Sequence, residues 1–379
     1  MTTGFCAVYL FGVGVLVDHW WQYTKFMEYI GKKIHSRLQH GCVLMALLLV
    51  SLVFWGCQSG KKNAQSGAAA ASDTARIASK RDLSGVKVGY CSPSLNAPFY
   101  VALEQAVQKN ATAYQMQYVS VDGQGDITKQ ITGIEDLISK GVQVLIVNPL
   151  DPKALVPTVN MAAQSGIPVF IVDSYIEPDA QYVASVLADN QGNGELLGQW
   201  MAGEMGGQQI KLALVSGAAG NPVGREKRLG FVRGVVDHQL KTNGSANLQI
   251  AAQGWGGWTI AGGLKAMEDI LVAHPDINLV VAENDAMALG ARKAIAAAAK
   301  SSAVKVIGFD GQKDALKLIK EGQLAATALN SPSELGKLVI EAVVRQMNGD
   351  QNRGLVIHTK AAIINSNNVD QFYDPDALF

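Results

Sequence analysis

The stretch IPVFIVD (167–173) recurs in altered form as VKVIGFD (304–310). Each is a short apolar run, rich in β-branched residues, that ends on an aspartate. A strand buried in a parallel sheet reads as a continuous hydrophobic run, because helices cover both faces. In open α/β sheets, ligands bind outside the carboxyl ends of such strands. Two aspartates delivered to that position from two separate strands predict a cleft between two similar α/β halves. The arrangement points to capture of a small polyhydroxylated molecule rather than chemistry on one.

Outward from these two stretches the pattern is regular. Upstream of 167 lie expected strands at 86–92, 116–122 and 142–148. Helices separate them, one running through Leu103 and Val107 and another near 153–165. A further helix carries Ile127, Ile131, Ile134 and Ile138 at helical spacing and stops at Gly141, a C′ glycine. A second set begins near Asp189, which reads with Asn190 as a helix cap and crossover. Its expected strands are 210–216, 248–254, 277–284, 304–310 and 323–330. Its helices fall at 193–205, 225–240, 259–273, 285–299, 312–320 and 333–348, before a final stretch HTKAAIIN. Strands alternating with helices of this length imply parallel sheets with right-handed crossovers. The fold class is therefore α/β, with two doubly wound Rossmann-like domains.

The 379 residues suffice for two ordinary domains plus an N-terminal extension. With 32 acidic and 32 basic residues the formal charge is zero, which gives no footprint for nucleic acid. Cys6, Cys42, Cys57 and Cys91 form no CxxC pair, and the histidines are scattered, so no metal site and no cofactor are expected.

The first 80 residues differ from the rest. Lys32, Lys33 and Arg37 precede the apolar run CVLMALLLVSLVFWG (42–56), short for a membrane span and right for a signal-peptide core. Gly56-Cys57 at its end resembles a bacterial lipoprotein cleavage site, although Trp55 is bulkier than usual and Phe54 replaces the usual leucine. Cys57 is the expected lipidation site, residues 1–57 a leader, and Met27 a more natural start. The Ala/Ser/Gly/Lys tract that follows makes 58–83 a flexible tether. An ordinary signal peptide cut elsewhere, or an uncleaved anchor helix, is the alternative.

Eight stretches carry a family resemblance: SLNAPFYVAL (94–103), VNPLDPKAL (147–155), IPVFIVD, ADNQGNGELLG (188–198), REKRLGF (225–231), ENDAMALGA (283–291), VIGFDG (306–311) and LAATALNSPSELG (324–336). Together, and in this order, they resemble the sugar-binding proteins of bacterial ABC importers, of the ribose-binding kind. Lactose-repressor-type regulators share this ligand-binding body, but they carry a helix-turn-helix where this chain has a signal sequence. The resemblance implies two lobes, 84–188 with 331–360 and 189–330 with 361–379. A three-segment hinge would join them near Leu187–Asp189, Asn330–Pro332 and Thr359–Ala362. It implies a monomer that hands a monosaccharide to a permease and its ATPase, and the leader with Cys57 would anchor it by lipid in the periplasm or on the outer face of the cytoplasmic membrane.

The resemblance also implies a site. Phe99, Tyr100 and Trp258 match the family's aromatics, and Asp173, Asn284, Asp310 and Asn330 match its polar contacts. The second-domain arginine falls on Lys227, with Arg225 and Arg228 as neighbours able to take its place. Three polar positions depart from the pattern: Ala97 stands for an asparagine, Ser174 for an arginine and Lys227 for the second-domain arginine. The chemistry agrees, because rings bury the C–H faces of a sugar while charged groups bond its hydroxyl rim.

Plainer roles exist for each residue. The aspartates also suit turns, Phe99 suits a helix start in a core, and Asn284 suits an N-cap. Trp255 rivals Trp258, and the basic triplet suits a solvated helix face. Paired carboxylates also occur in glycoside hydrolases, but no nucleophile elbow, HExxH or P-loop is present, so no catalysis is expected. A sensor that presents a bound sugar or autoinducer to a membrane receptor would share every one of these features.

Overall fold

A computed structural model describes residues 82–379. The expected leader, lipidation site and tether before residue 82 lie outside the described residues. Among the described residues, no helix is long and apolar enough to cross a membrane.

The described residues build two six-stranded sheets. The first takes β1 (Lys87–Ser92), β2 (Gln117–Asp122), β3 (Val144–Val147), β4 (Val169–Val172), β5 (Ala184–Leu187) and β11 (Leu355–His358). Its strand order is β11-β5-β4-β3-β1-β2, and all neighbours are parallel. The second takes β6 (Ile210–Ser216), β7 (Leu248–Trp255), β8 (Leu279–Ala282), β9 (Lys305–Asp310), β10 (Ala326–Leu329) and β12 (Ile363–Asn365). Its order is β12-β10-β9-β8-β6-β7, parallel except where β12 runs against β10. The chain thus passes from one sheet to the other after β5, after β10 and after β11.

Helices α1 (Pro98–Ala113), α2 (Ile127–Ser139), α3 (Val156–Gln164) and α9 (Pro332–Met347) flank the first sheet. Helices α4 (Asn190–Glu204), α5 (Pro222–Asn243), α6 (Ile260–Ala273), α7 (Asp285–Ala297) and α8 (Lys313–Lys320) flank the second. Strand side chains alternate between the faces as the two-residue period requires. In β3, Val144 and Ile146 pack with α1 and α9, while Leu145 and Val147 pack with α2 and α3. In β8, Val280 and Ala282 face α6 and α7, whereas Leu279 and Val281 face α4 and α5. Both sheets are covered on both faces, so their central strands read as unbroken apolar runs.

The α/β expectation holds. Three strands were not foreseen: β5 and β11 complete the outer side of the first sheet, and β12, within the final stretch HTKAAIIN, forms the antiparallel edge of the second. β5 is only ASVL, too small and short to stand out as an apolar run. β11 is an edge strand whose Leu355 and Val356 stay exposed, so burial imposes little pattern on it. Two helices begin earlier than their apolar periodicity suggests, because caps set their starts. The Asp189 side chain accepts from Gly192 N ahead of α4, and Asn221 accepts from Gly224 N ahead of Pro222 in α5.

Candidate functional site

Every loop that leaves the carboxyl end of a central strand converges on one cavity of about 230 Å³. Pro93 follows β1, Pro149 and Leu150 follow β3, and Asp173 and Ser174 follow β4. From the second sheet come Ala218 after β6, Trp258 after β7, Asn284 after β8, Asp310 at the end of β9 and Asn330 after β10. Phe99 and Tyr100 enter from the first turn of α1, where Pro98 occupies the start, and Lys227 enters from α5. This is the crevice that doubly wound sheets offer to ligands. A larger depression of about 600 Å³ lies at the opposite ends of β4 and β5. Among the described residues, Arg353 is the one charged residue that lines it.

Eight of the nine expected site residues line the cavity; Arg225 does not. Arg225 is exposed on α5. A two-residue step turns a helix by about 200°, so the Lys227 face and the Arg225 face point in opposite directions. Lys227, 3 % exposed, donates to Asp310 Oδ1 at 2.9 Å and to the Glu283 carbonyl at 3.0 Å. Its ammonium also lies 5.8 Å from the Trp258 ring centre and 5.3 Å from that of Phe309. Arg228 turns to Glu283 instead, at 2.7 Å, and Glu283 accepts from Gly217 N at 2.8 Å. That bridge shapes the loop under Trp258 and leaves Arg228 outside the cavity lining.

The Trp258 ring does not project freely from its glycine-rich loop. It is half-buried and packs on the α6–α7 side of the second sheet. A Cβ on Gly217 would fall 2.0 Å from the indole, so only glycine lets the ring lie flat there. Trp255, 48 % exposed, stacks near Arg228 outside the cavity. Asn284 does two jobs: its Oδ1 caps α7 by accepting from Met287 N, and its Nδ2 donates to Trp258 O. The N-cap and the cavity wall are the same side chain.

The two strand-end aspartates adopt backbone conformations rare outside glycine, φ 66° at Asp173 and φ 116° at Asp310. Such strain persists only where surrounding bonds over-determine it, and it concentrates at functional sites. At Asp310 the clamp is Asp285, fully buried, whose carboxylate accepts from Gly311 N at 2.8 Å, Gln312 N at 2.7 Å and Thr327 Oγ1 at 2.7 Å. Burial raises the Asp285 carboxyl well above its ordinary range, and the nearby Asp310 adds to that rise. At Asp173 the support is lighter: Asn148 Nδ2 donates to Oδ2 at 3.0 Å, and Asp173 N donates to Val186 O.

The electrostatics follow. Burial pushes the Asp173 carboxyl up to about 6, opposed by the Asn148 amide and then by Lys227, while Asp310 adds to the rise. Burial also raises Asp310, against the opposing charge and hydrogen bond of Lys227. The Tyr100 phenol is held above its usual range, first by burial and then by both carboxylates. The Asn330 amide eases both aspartates, and its Oδ1 is buried with no hydrogen-bond partner among the described residues. The cavity therefore presents acceptor atoms, at Asp173, Asp310 and Asn330, inside a wall of rings and prolines. Sequence reasoning missed Asn148, Asp285 and the Arg228–Glu283 bridge. Asn148 does stand at a strand end in VNP, the one local signal that marks it.

Comparison with known proteins agrees with this geometry. The profile described as periplasmic binding protein domain matches residues 88–351. The ribose import binding protein of Bacillus subtilis is 37% identical over 255 residues, covering 67% of this chain and 79% of its own. That of Escherichia coli is 33% identical over 258 residues, covering 68% and 83%. Among solved structures, an ABC transporter solute binding protein from Mycobacterium smegmatis with bound glycerol superposes with a TM-score of 0.70 at 32% identity. It covers 77% of this chain and 98% of that one.

Proposed function

This chain belongs to the periplasmic binding protein family, and from that premise we propose that it is the sugar-capturing component of an ABC importer. The observation that carries the reading is the cavity itself. It joins the strand ends of two sheets and combines aromatic walls with carboxylate and amide acceptors. Sugar hydroxyls are donors that satisfy such acceptors, and bonds to charged groups are worth roughly 1.5–3 kcal/mol each. At about 230 Å³ the space is smaller than the roughly 300–1,000 Å³ of pockets for drug-sized ligands, which suits one monosaccharide.

The lobes of this reading are 84–188 with 331–360 and 189–330 with 361–379. The crossings near Leu187–Asp189, Asn330–Pro332 and Thr359–Ala362 serve as hinges. A sugar that contacts Phe99, Tyr100 and Asp173 on one side and Lys227, Trp258, Asn284, Asp310 and Asn330 on the other bridges both lobes. It therefore favours the closed form by its differential contacts. A permease with its ATPase accepts that closed form, and the sugar passes on unaltered. The protein works as a monomer outside the cytoplasmic membrane, held by lipid on Cys57 through the tether at 58–83.

Thermal-shift measurements with D-ribose, D-allose, L-arabinose and myo-inositol test the sugar reading. At least one should raise the melting temperature in a saturable way, and no shift with any pentose, hexose or polyol sinks it. For the anchor, Cys57→Ser should abolish incorporation of labelled fatty acid in a bacterial host. Persistent labelling of that variant places the lipid elsewhere or removes it from the account.

A further inference from the structure

Beyond β12 the chain does not stop at the second sheet. A 3₁₀ turn (Val369–Gln371) leads to Tyr373, which packs on the second sheet's α6–α8 side under the ammonium of Lys320. The next residues turn, with Ala377 N donating to Asp374 O, and the Ala377 carbonyl accepts from Lys313 Nζ at the start of α8. Phe379 then meets Phe99 edge-on, with ring centres 5.4 Å apart and planes at 83°. Phe99 belongs to α1 of the first sheet and lines the cavity, and Tyr100 touches its ring at 5.8 Å. A segment fixed to the second sheet by Lys313 and Tyr373 therefore grips a cavity ring carried by the first. It lies outside the three crossings and beyond residue 351, where the family match ends.

We propose that residues 374–379 form a strap whose Phe379 ring holds Phe99 in place against the bound sugar and retards the separation of the lobes. Phe379 does not line the cavity, so it is a positioning residue that acts through Phe99. The geometry has a definite consequence. Lobe opening carries Phe99 away from α8, so the Phe99–Phe379 contact must break before or with release. Entry into an already open cleft does not require that step. The strap therefore acts on dissociation far more than on association. An edge-to-face pair of this kind is worth about a three- to tenfold change in a rate or equilibrium constant.

The inference rests on the sugar reading, so its test has one arm that needs no sugar. In the sugar-free full-length protein the contact holds the closed fraction of the lobe equilibrium, so Phe379→Ala should deplete that fraction and raise hydrogen exchange over 97–101, with the melting temperature close to wild type. In stopped-flow tryptophan fluorescence with the best-binding sugar of D-ribose, D-allose, L-arabinose and myo-inositol, Phe379→Ala should dissociate about three- to tenfold faster, with association nearly unchanged. Phe379→Tyr should restore both values. Unchanged exchange over 97–101 overturns the strap whatever any sugar does. Faster exchange with unchanged dissociation overturns its role in retention. A wild-type protein that binds none of the four sugars contradicts the sugar reading, while the exchange arm still decides the strap.

Discussion

Asp173 and Asp310 are built alike and treated differently. Each ends a buried parallel strand, each bends its backbone to positive φ, and each lines the same cavity. Asp310 has its countercharge inside the protein, in Lys227 at 2.9 Å, and a turn tied down by Asp285. Asp173 has an amide, Asn148, and is followed by Ser174, which brings no charge. One carboxylate is therefore part of the framework as well as the site. The other is left to be satisfied by what enters. On the proposed sugar reading, equivalent positions in a duplicated fold divide a structural task from a recognition task.

The largest effect should come from breaking the compensated side. Asp310→Asn leaves the Lys227 ammonium buried without its partner, and losing one member of a buried pair costs about 3–5 kcal/mol of stability. Urea unfolding should show that loss along with weakened sugar binding. A fully stable Asp310→Asn protein would mean that the pair is not structural, and the comparison would fail.

Asp173→Asn should separate the two roles. Affinity should fall by about 1–3 kcal/mol, because a charge-assisted acceptor is lost. Stability should hold or rise, since a carboxylate raised by burial no longer has to ionise there. A drop in stability as large as that of Asp310→Asn would make the two aspartates equivalent after all.

The pH dependence has a definite sign. The Asp173 carboxyl sits at about 6 in the fold, above its ordinary value of 3.8. In sugar-free protein its ionisation costs stability above pH 6, and that cost is relieved as the pH falls toward 4. Sugar binding has the opposite dependence, because hydroxyl donors favour the ionised carboxylate. Affinity should be full above pH 6 and fall as the pH drops through it, by up to about tenfold between pH 6.5 and 5. Asp173→Asn should flatten most of that slope, and a wild-type affinity constant from pH 7 to 5 would remove Asp173 from the contact.

The smallest effect belongs to the residue on the wrong side of the helix. Arg225→Ala should change stability and affinity by no more than about 0.5 kcal/mol, the usual range for an exposed position. A tenfold loss of binding would return Arg225 to the site and call for another lobe arrangement than the one described.

What the sequence revealed and what it hid have physical causes. Asp173 and Asp310 were legible because each ends an apolar run that only a buried strand explains. Lys227 was legible only as one of three basic neighbours, since a run of charges on a helix does not announce which face is buried. Its phase emerges from packing, with Phe231 and Val235 buried on the same helix. Asp285 was hidden because an acidic residue at a helix start looks like an ordinary first-turn carboxylate. Its part in clamping Gly311 and Gln312 depends on a loop 26 residues away. The strands β5 and β11 were hidden for opposite reasons, one too small to stand out and one too exposed to be patterned. Phe379 touches Phe99 across 280 positions of chain, a contact to which no local signal corresponds.

The central claim is that one unaltered sugar is held between the sheets and that Asp173 is the acceptor left for it. Calorimetric titration of the full chain and of Asp173→Asn with D-ribose, D-allose, L-arabinose and myo-inositol, with the recovered sugar weighed by mass spectrometry, tests it most directly. At least one of these should bind one-to-one, at least about fivefold more weakly in the variant, and the recovered mass should equal that added. Equal affinity in both proteins, a changed mass, or no heat with any of the four would contradict it.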